Sequence, residues 1–300
     1  MTVTAGTGVR PPITPAVTRR HQALAASSFL LATAVVLNSG LGPLAAGAIR
    51  YRMAPTLVNQ LLALDVVGLV LVAPLAVVAG RLLMRGRSAG AVLAAPPAAF
   101  TAYMQAQGIV GGDPLGRAGN AERWFPWHLA LFVLSVGILV TAWHTARGDT
   151  PPALRMNRAR WTAFGLAGAA TFVLFGQWLP ALADMMSATP SGAGYLAGPA
   201  MAWMLALLDL GLLVPALLAT AAGLIRGAAW ATRAAYVISG FLALVGPAVA
   251  AMSVTMTVRD DPAITTGQVV AMCVVGGLLG AFGIAVHRPL LLPFRTAHPS

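Results

Sequence analysis

The chain has 300 residues, 58% of them apolar and only 9% charged, with nineteen basic and eight acidic side chains giving a formal charge of +11. A soluble chain carries about 25% charged residues, and a globule in water needs a wetted skin that this composition does not supply, so the solvent is lipid. All the basic charge is arginine, spread between apolar segments instead of gathered in one patch, which excludes a nucleic-acid surface and reads as membrane topology.

Residues 1–22 are polar, dotted with proline and end in Arg19-Arg20-His21. They are expected to form a disordered cytoplasmic tail. An arginine pair before an apolar run, with Ala46 and Ala48 downstream, has the outline of a secretion signal. Seven further apolar runs follow, so the first is read as an uncleaved span.

At about 20 apolar residues per crossing, eight spans are expected, near 24–48, 58–83, 89–109, 126–146, 161–184, 200–224, 231–256 and 268–288. The weakest are the first, which holds Asn38-Ser39-Gly40, and the third, which holds Pro96-Pro97. Residues 289–300 are read as a C-terminal cytoplasmic tail. Arginines partition 14 to 5 between alternate loops, which places both termini in the cytoplasm and the chain in the cytoplasmic membrane. Trp124 and Trp143 bracket the fourth span, about 29 Å apart at helical rise, close to a hydrocarbon core of about 30 Å.

Two stretches repeat one order of features. Residues 62–86 carry Asp65, Pro74 and Arg85-Gly86; residues 205–227 carry Asp209, Pro215 and Arg226-Gly227. This predicts a parallel four-plus-four repeat, 23–147 and 160–288, within a bundle spanning 23–288. The spacing from acid to proline differs, nine residues in the first stretch and six in the second.

A bare carboxylate at mid-bilayer costs about 3 kcal/mol on insertion scales. Each acid therefore requires a proton, a counter-cation or a polar recess. Other polar residues fall in the outer half: Asn38, Asn59, Gln60, Tyr103, Gln105, Gln107, His128, Gln177 and Asp184. The expected ligand or ion site uses Asp65 and Asp209, walled by Asn38, Gln105, Gln177 and His128. The competing account makes each acid a helix-to-helix hydrogen-bonding device. His128 and His144 sit at opposite ends of one span and read as interfacial, and Asp260-Asp261 beside Arg259 reads as a solvated loop. Gly276, Gly277, Gly280 and Gly283, like Gly165 and Gly168, read as close helix packing instead of a phosphate loop, because no strand precedes them.

The lone Cys273 excludes an internal disulfide and thiol-pair redox chemistry. No phosphate loop, HExxH, paired CxxC, nucleophile elbow or cytoplasmic aspartate-rich pair is present, and the absence of lysine excludes a retinal Schiff base. No cofactor or metal is expected.

The resulting expectation is an all-α polytopic membrane bundle of about eight transmembrane helices. Its favoured role is a small-solute or proton/cation-linked permease. The alternatives are a non-catalytic assembly or regulatory subunit and, less favoured, an enzyme acting on a lipid or quinone. Its expected partners are the bilayer and a homo- or hetero-oligomer within it, with no nucleic acid.

Overall fold

Long apolar stretches without a polar backbone partner nearby have one economical solution, which is to satisfy their own N–H and C=O groups as helices. The computed structural model describes residues 18–113, 116–148 and 152–291, and within these every regular element is a helix, with no strand. Most of the expected tails, 1–17 and 292–300, lies outside the described residues. Eight long helices follow in order: α1 Arg19–Leu41, α2 Pro55–Met84, α3 Ala89–Val110, α4 Phe125–Gly148, α5 Met156–Met185, α6 Pro199–Ile225, α7 Ala229–Val258 and α8 Thr266–Leu291. A short helix, Ala193–Ala197, lies between α5 and α6.

Seven of the eight are long and apolar enough to cross a membrane. The exception is α3, the third expected span. Its 22 residues reach about 33 Å at 1.5 Å per residue, but Pro96, Pro97, Gln105 and Gln107 lower its apolarity. All four are buried. The helix packs against α2, α4 and α7, so neighbouring helices form its solvent and it does not need a greasy exterior. Pro96 nests where α7 offers Gly240, since a Cβ on that glycine would strike the proline ring.

Three of the long helices contain a π-helical segment: Gly68–Val72 in α2, Phe172–Trp178 in α5 and Asp209–Leu213 in α6. In each case a proline follows two residues beyond the segment, namely Pro74, Pro180 and Pro215. A proline cannot donate to the carbonyl four residues back, and its ring collides with that carbonyl. The carbonyls concerned belong to Val70, Gly176 and Gly211, all inside the widened turns. Widening moves the carbonyl aside and re-aims the side chains around it.

Helix ends follow equally local rules. Thr18 caps α1, accepting from the His21 amide (3.3 Å) while the Thr18 amide donates to His21 Nδ1 (3.2 Å). Both α2 and α6 end on a left-handed glycine, Gly86 (φ 65°) and Gly227 (φ 68°), a conformation glycine adopts without a Cβ penalty. Each closes with a six-to-one bond, Arg87 N–H to Leu82 O and Ala228 N–H to Gly223 O, both 2.9 Å.

Cross-links show that successive helices alternate in direction. At one end, Arg233 of α7 lies 5.5 Å from the Trp143 ring centroid of α4. The Tyr236 hydroxyl donates to Pro152 O (3.0 Å), and its ring meets His287 of α8 at 5.6 Å. This end holds the arginine-rich starts and finishes: Arg81 to Arg87, Arg147 to Arg160, Arg226 and Arg233. At the other end, Arg52 pairs with Glu122 (2.6 Å), and Asp261 accepts from Thr56 Oγ1 (2.9 Å) and Asn59 Nδ2 (2.8 Å). Asp113, Asp184 and Asp260 also belong to that end.

Packing between α7 and α8 is glycine-mediated, as expected for Gly276 and Gly283. A Cβ on Gly276 would strike Gly246 O, and one on Gly283 would strike Ala243 and Ser239 O. Gly165 likewise admits the Phe282 ring. Gly168 and Gly277 differ, having no neighbour within 4 Å of where a Cβ would stand. The outer faces of α5 and α8 carry exposed Trp161, Phe164, Phe175, Val270, Val274 and Leu278, the apolar exterior that a lipid-solvated bundle requires.

Candidate functional site

Asp65 and Asp209 occupy the same relative place in their helices. Each stands ten residues after the proline that opens the helix, Pro55 or Pro199, which is about 15 Å along the axis. Both are buried, at 9% and 7% exposure, so neither carboxylate lies in open water. Their surroundings differ.

Both oxygens of Asp209 accept from donors: the Tyr103 hydroxyl reaches Oδ1 at 2.7 Å and Trp178 Nε1 reaches Oδ2 at 2.8 Å. The π segments explain the geometry. Asp209 is the first residue of the widened turn in α6 and Trp178 the last of the widened turn in α5. Tyr103, on α3, is steadied edge-on by Phe241 at 5.7 Å. The group is a three-helix clasp holding α3, α5 and α6 together.

Asp65 instead lines a cavity of ≈ 60 Å³ among α1, α2 and α3. Its polar lining is Asn38, Ser39, Tyr51, Thr101 and Gln105; its apolar lining includes Leu64, Val72, Phe100 and Met104. Among the described residues no arginine or histidine lines it, and Asp65 is the one carboxylate in the lining. The Ser39 hydroxyl donates to the Asp65 backbone carbonyl at 3.2 Å. Gly42 makes room for the carboxylate: a Cβ there would lie 2.9 Å from Oδ2. Gly68, which opens the widened turn three residues on, also faces the cavity.

The wall is braced from behind. Asn38 Oδ1 accepts from Trp127 Nε1 (3.1 Å), and Gln105 Oε1 is bonded to His128 Nδ1 (2.6 Å). An amide oxygen only accepts, so the hydrogen in that bond belongs to Nδ1. The His128 ring lies 5.8 Å from Tyr51, and its Nε2 is buried without a hydrogen-bond partner among the described residues. His128 is therefore an interior residue, 2% exposed, and not the interfacial one expected from its position near a span end.

Over the cavity, the connection carrying Tyr51 is fastened to the one between α3 and α4. Asn120 Oδ1 accepts from Arg50 N–H (2.8 Å), Asn120 Nδ2 donates to Ala48 O (2.9 Å), and Arg52 O accepts from Asp113 N–H (2.7 Å). Burial raises the Tyr51 phenol above its ordinary pKa, and the neighbouring Asp65 charge adds to the effect.

Thr101, Met104, Gln105 and Gly108 present one face of α3 to this cavity, whereas Tyr103 projects about 150° away at 100° per residue. The central helix thus separates the two acids, and they do not share one recess. Of the six expected site residues, Asp65, Asn38 and Gln105 meet at the cavity and His128 supports it. Asp209 belongs to the clasp. Gln177 is exposed on α5 and joins neither group. Asp184 caps its own loop, accepting from Ser191 and Gly192 amides at 3.0 and 2.8 Å. The expectation that Asp261 is solvated is also corrected, since it is 7% exposed and ties the α7–α8 loop to the start of α2.

Three residues of the site escaped the sequence reading. Tyr51 and Ser39 lie in or beside loops, and Thr101 bonds back to Pro97 O (2.9 Å), as a hydroxyl in a proline-interrupted helix commonly does. Among the described residues no three His, Cys, Asp or Glu side chains gather as a metal site. Comparison of the chain with protein-family models, curated protein sequences and solved structures returns no match.

Proposed function

We propose that the chain is a small permease of the cytoplasmic membrane that moves protons or small monovalent cations, with Asp65 as the exchanging group. The observation that carries this reading is a buried acid lining a partly polar cavity with no basic residue among its described lining. An isolated anion in such a place is unfavourable unless a proton or cation accompanies it. The volume, ≈ 60 Å³, suits waters or a bare small cation and excludes a sugar or amino acid. Asn38, Ser39, Thr101 and Gln105 supply the oxygen ligands that would replace part of a hydration shell.

Both termini are assigned to the cytoplasm, because the arginine-rich end of the bundle is the one that the positive-inside rule retains there. The cavity then lies towards the outer half, beneath the Tyr51 connection. Opening that connection would admit the ion from outside. The common layout of α2 and α6, with opening proline, central acid, widened turn and left-handed glycine, supports descent from a duplicated unit with one acid kept for exchange and the other for architecture.

The test is reconstitution into vesicles with a pH-sensitive dye inside, driven by sodium, potassium or ammonium gradients. Wild-type protein should give a dye response to at least one gradient. Asp65→Asn should reduce it at least ten-fold while leaving the thermal unfolding midpoint within a few degrees. A full response from Asp65→Asn removes Asp65 from the mechanism, and no response from wild type to any gradient removes transport of these ions. The second class, a membrane partner subunit, has one supporting feature in the sparsely covered faces of α5 and α8; lipid satisfies those faces equally well.

A further inference from the structure

At the opposite, arginine-rich end, a larger cavity of ≈ 350 Å³ lies between the start of α3, the end of α4 and the start of α7. Its walls are almost wholly apolar, including Ala91, Val92, Ala95, Leu139 and Val237. Among the described residues its polar groups are confined to Trp143, His144 and Arg233, and none of them is a carboxylate. Exposed Val140 and His144 edge its mouth. Arg233 lies 5.5 Å from the Trp143 ring centroid, and its Nε is buried without a hydrogen-bond partner among the described residues.

A guanidinium is charged at every accessible pH and carries five donors in a fixed fork. Placed with a buried open donor and no anion among the described lining residues, it is complementary to a phosphate. The apolar walls do not suit a free inorganic anion, which would gain one charged contact and lose its hydration against hydrocarbon. They suit a chain. The volume falls within the range of about 300–1,000 Å³ typical of small-molecule sites, and the cavity sits at the end where anionic headgroups of the cytoplasmic leaflet gather.

We propose that this cavity binds an anionic phospholipid of the surrounding bilayer, with the phosphate on Arg233 and the first part of one acyl chain against Val92, Ala95 and Leu139. The lipid staples α3 to α4 and α7 at the end of the bundle opposite Asp65. This site shares no lining residue with the Asp65 cavity, so the proposal stands or falls independently of transport.

The experiment is native mass spectrometry of the full chain in detergent, titrated with phosphatidylglycerol, phosphatidylcholine or inorganic phosphate, alongside thermal unfolding. Wild type should retain one phosphatidylglycerol per chain and gain several degrees in unfolding midpoint. Phosphatidylcholine should bind at least ten-fold more weakly, and phosphate alone should neither bind nor stabilise. Arg233→Gln should weaken phosphatidylglycerol at least ten-fold, whereas Arg233→Lys should retain most of the affinity. Val140→Trp, at the exposed mouth, should weaken it without touching the charge, which covers the case in which Arg233→Gln fails to fold. Undiminished phosphatidylglycerol binding by Val140→Trp together with Arg233→Gln, or equal binding of both lipids, overturns the proposal. Full protection by inorganic phosphate overturns it in favour of a soluble anion.

Discussion

Asp65 and Asp209 are two answers to one problem. Each is an acid near the middle of a long apolar helix, ten residues after an opening proline and followed by a widened turn. Asp209 is answered by protein, because Tyr103 and Trp178 occupy both its oxygens. Asp65 is answered by space, a small polar cavity with oxygen and amide groups around it. The helix that carries an acid does not decide its role. Donors arriving from other helices do, and α3 sends a tyrosine to one acid and a polar cavity face to the other.

The sharpest way to break this comparison is to exchange the treatments. Asp209→Ala would strand the Tyr103 hydroxyl and Trp178 N–H in the bundle, each costing about 1–3 kcal/mol when unsatisfied. Its expected loss is the sum of two such terms, read as a lowered unfolding midpoint in detergent. Asp65→Ala, which strands no comparable pair of donors, should cost less than half as much stability. Equal losses would show that Asp65 is also architectural.

A smaller effect is expected from Gly42→Ala. The added methyl would stand 2.9 Å from Asp65 Oδ2 and 3.0 Å from Asn38 O, so the carboxylate must turn away. Ion-driven dye response should fall several-fold with little change in unfolding. Gly40→Ala, two residues earlier with nothing within 4 Å of the new Cβ, is the matched control and should leave the response unchanged.

The smallest effect concerns the loop that joins α7 to α8. Burial disfavours the charged form of Asp261, but the Ala263 amide, Asn59 and Thr56 donate to it and outweigh that cost, holding its carboxyl below the usual range. The folded state therefore releases this proton more readily than the unfolded chain. The stabilisation is complete above the unfolded pKa of about 3.9 and is lost as pH falls through the lower folded value. Asp261→Asn should be less stable than wild type at pH 7, and the gap should close below about pH 4. A gap that widens on acidification would contradict the assignment.

Much of the fold was legible because hydropathy and length act locally. Seven of the long helices sit close to the runs expected from composition, whereas α1 ends at Leu41, seven residues before the expected end of the first span. The widened turns of α2, α5 and α6 were not expected, although each has a proline two residues beyond it. α3 was the weak reading for a physical reason: a helix walled by other helices is released from the need to be greasy, so Pro96-Pro97 and Gln105 dilute the signal. The site was half legible. That buried acids mattered could be read from their cost in lipid, but not which one would remain beside a cavity, because Trp178 and Tyr103 come from 31 and 106 residues away. Asp261 was misread for the same reason, its donors Thr56 and Asn59 lying more than 200 residues earlier.

Infrared difference spectroscopy of the protein in vesicles, titrated with acid and with monovalent cations, tests the central claim most directly, since carboxyl bands report each acid's exchange. The account predicts a titrating carboxyl band in wild type that persists in Asp209→Asn and disappears in Asp65→Asn. A band that survives Asp65→Asn and vanishes in Asp209→Asn would contradict it.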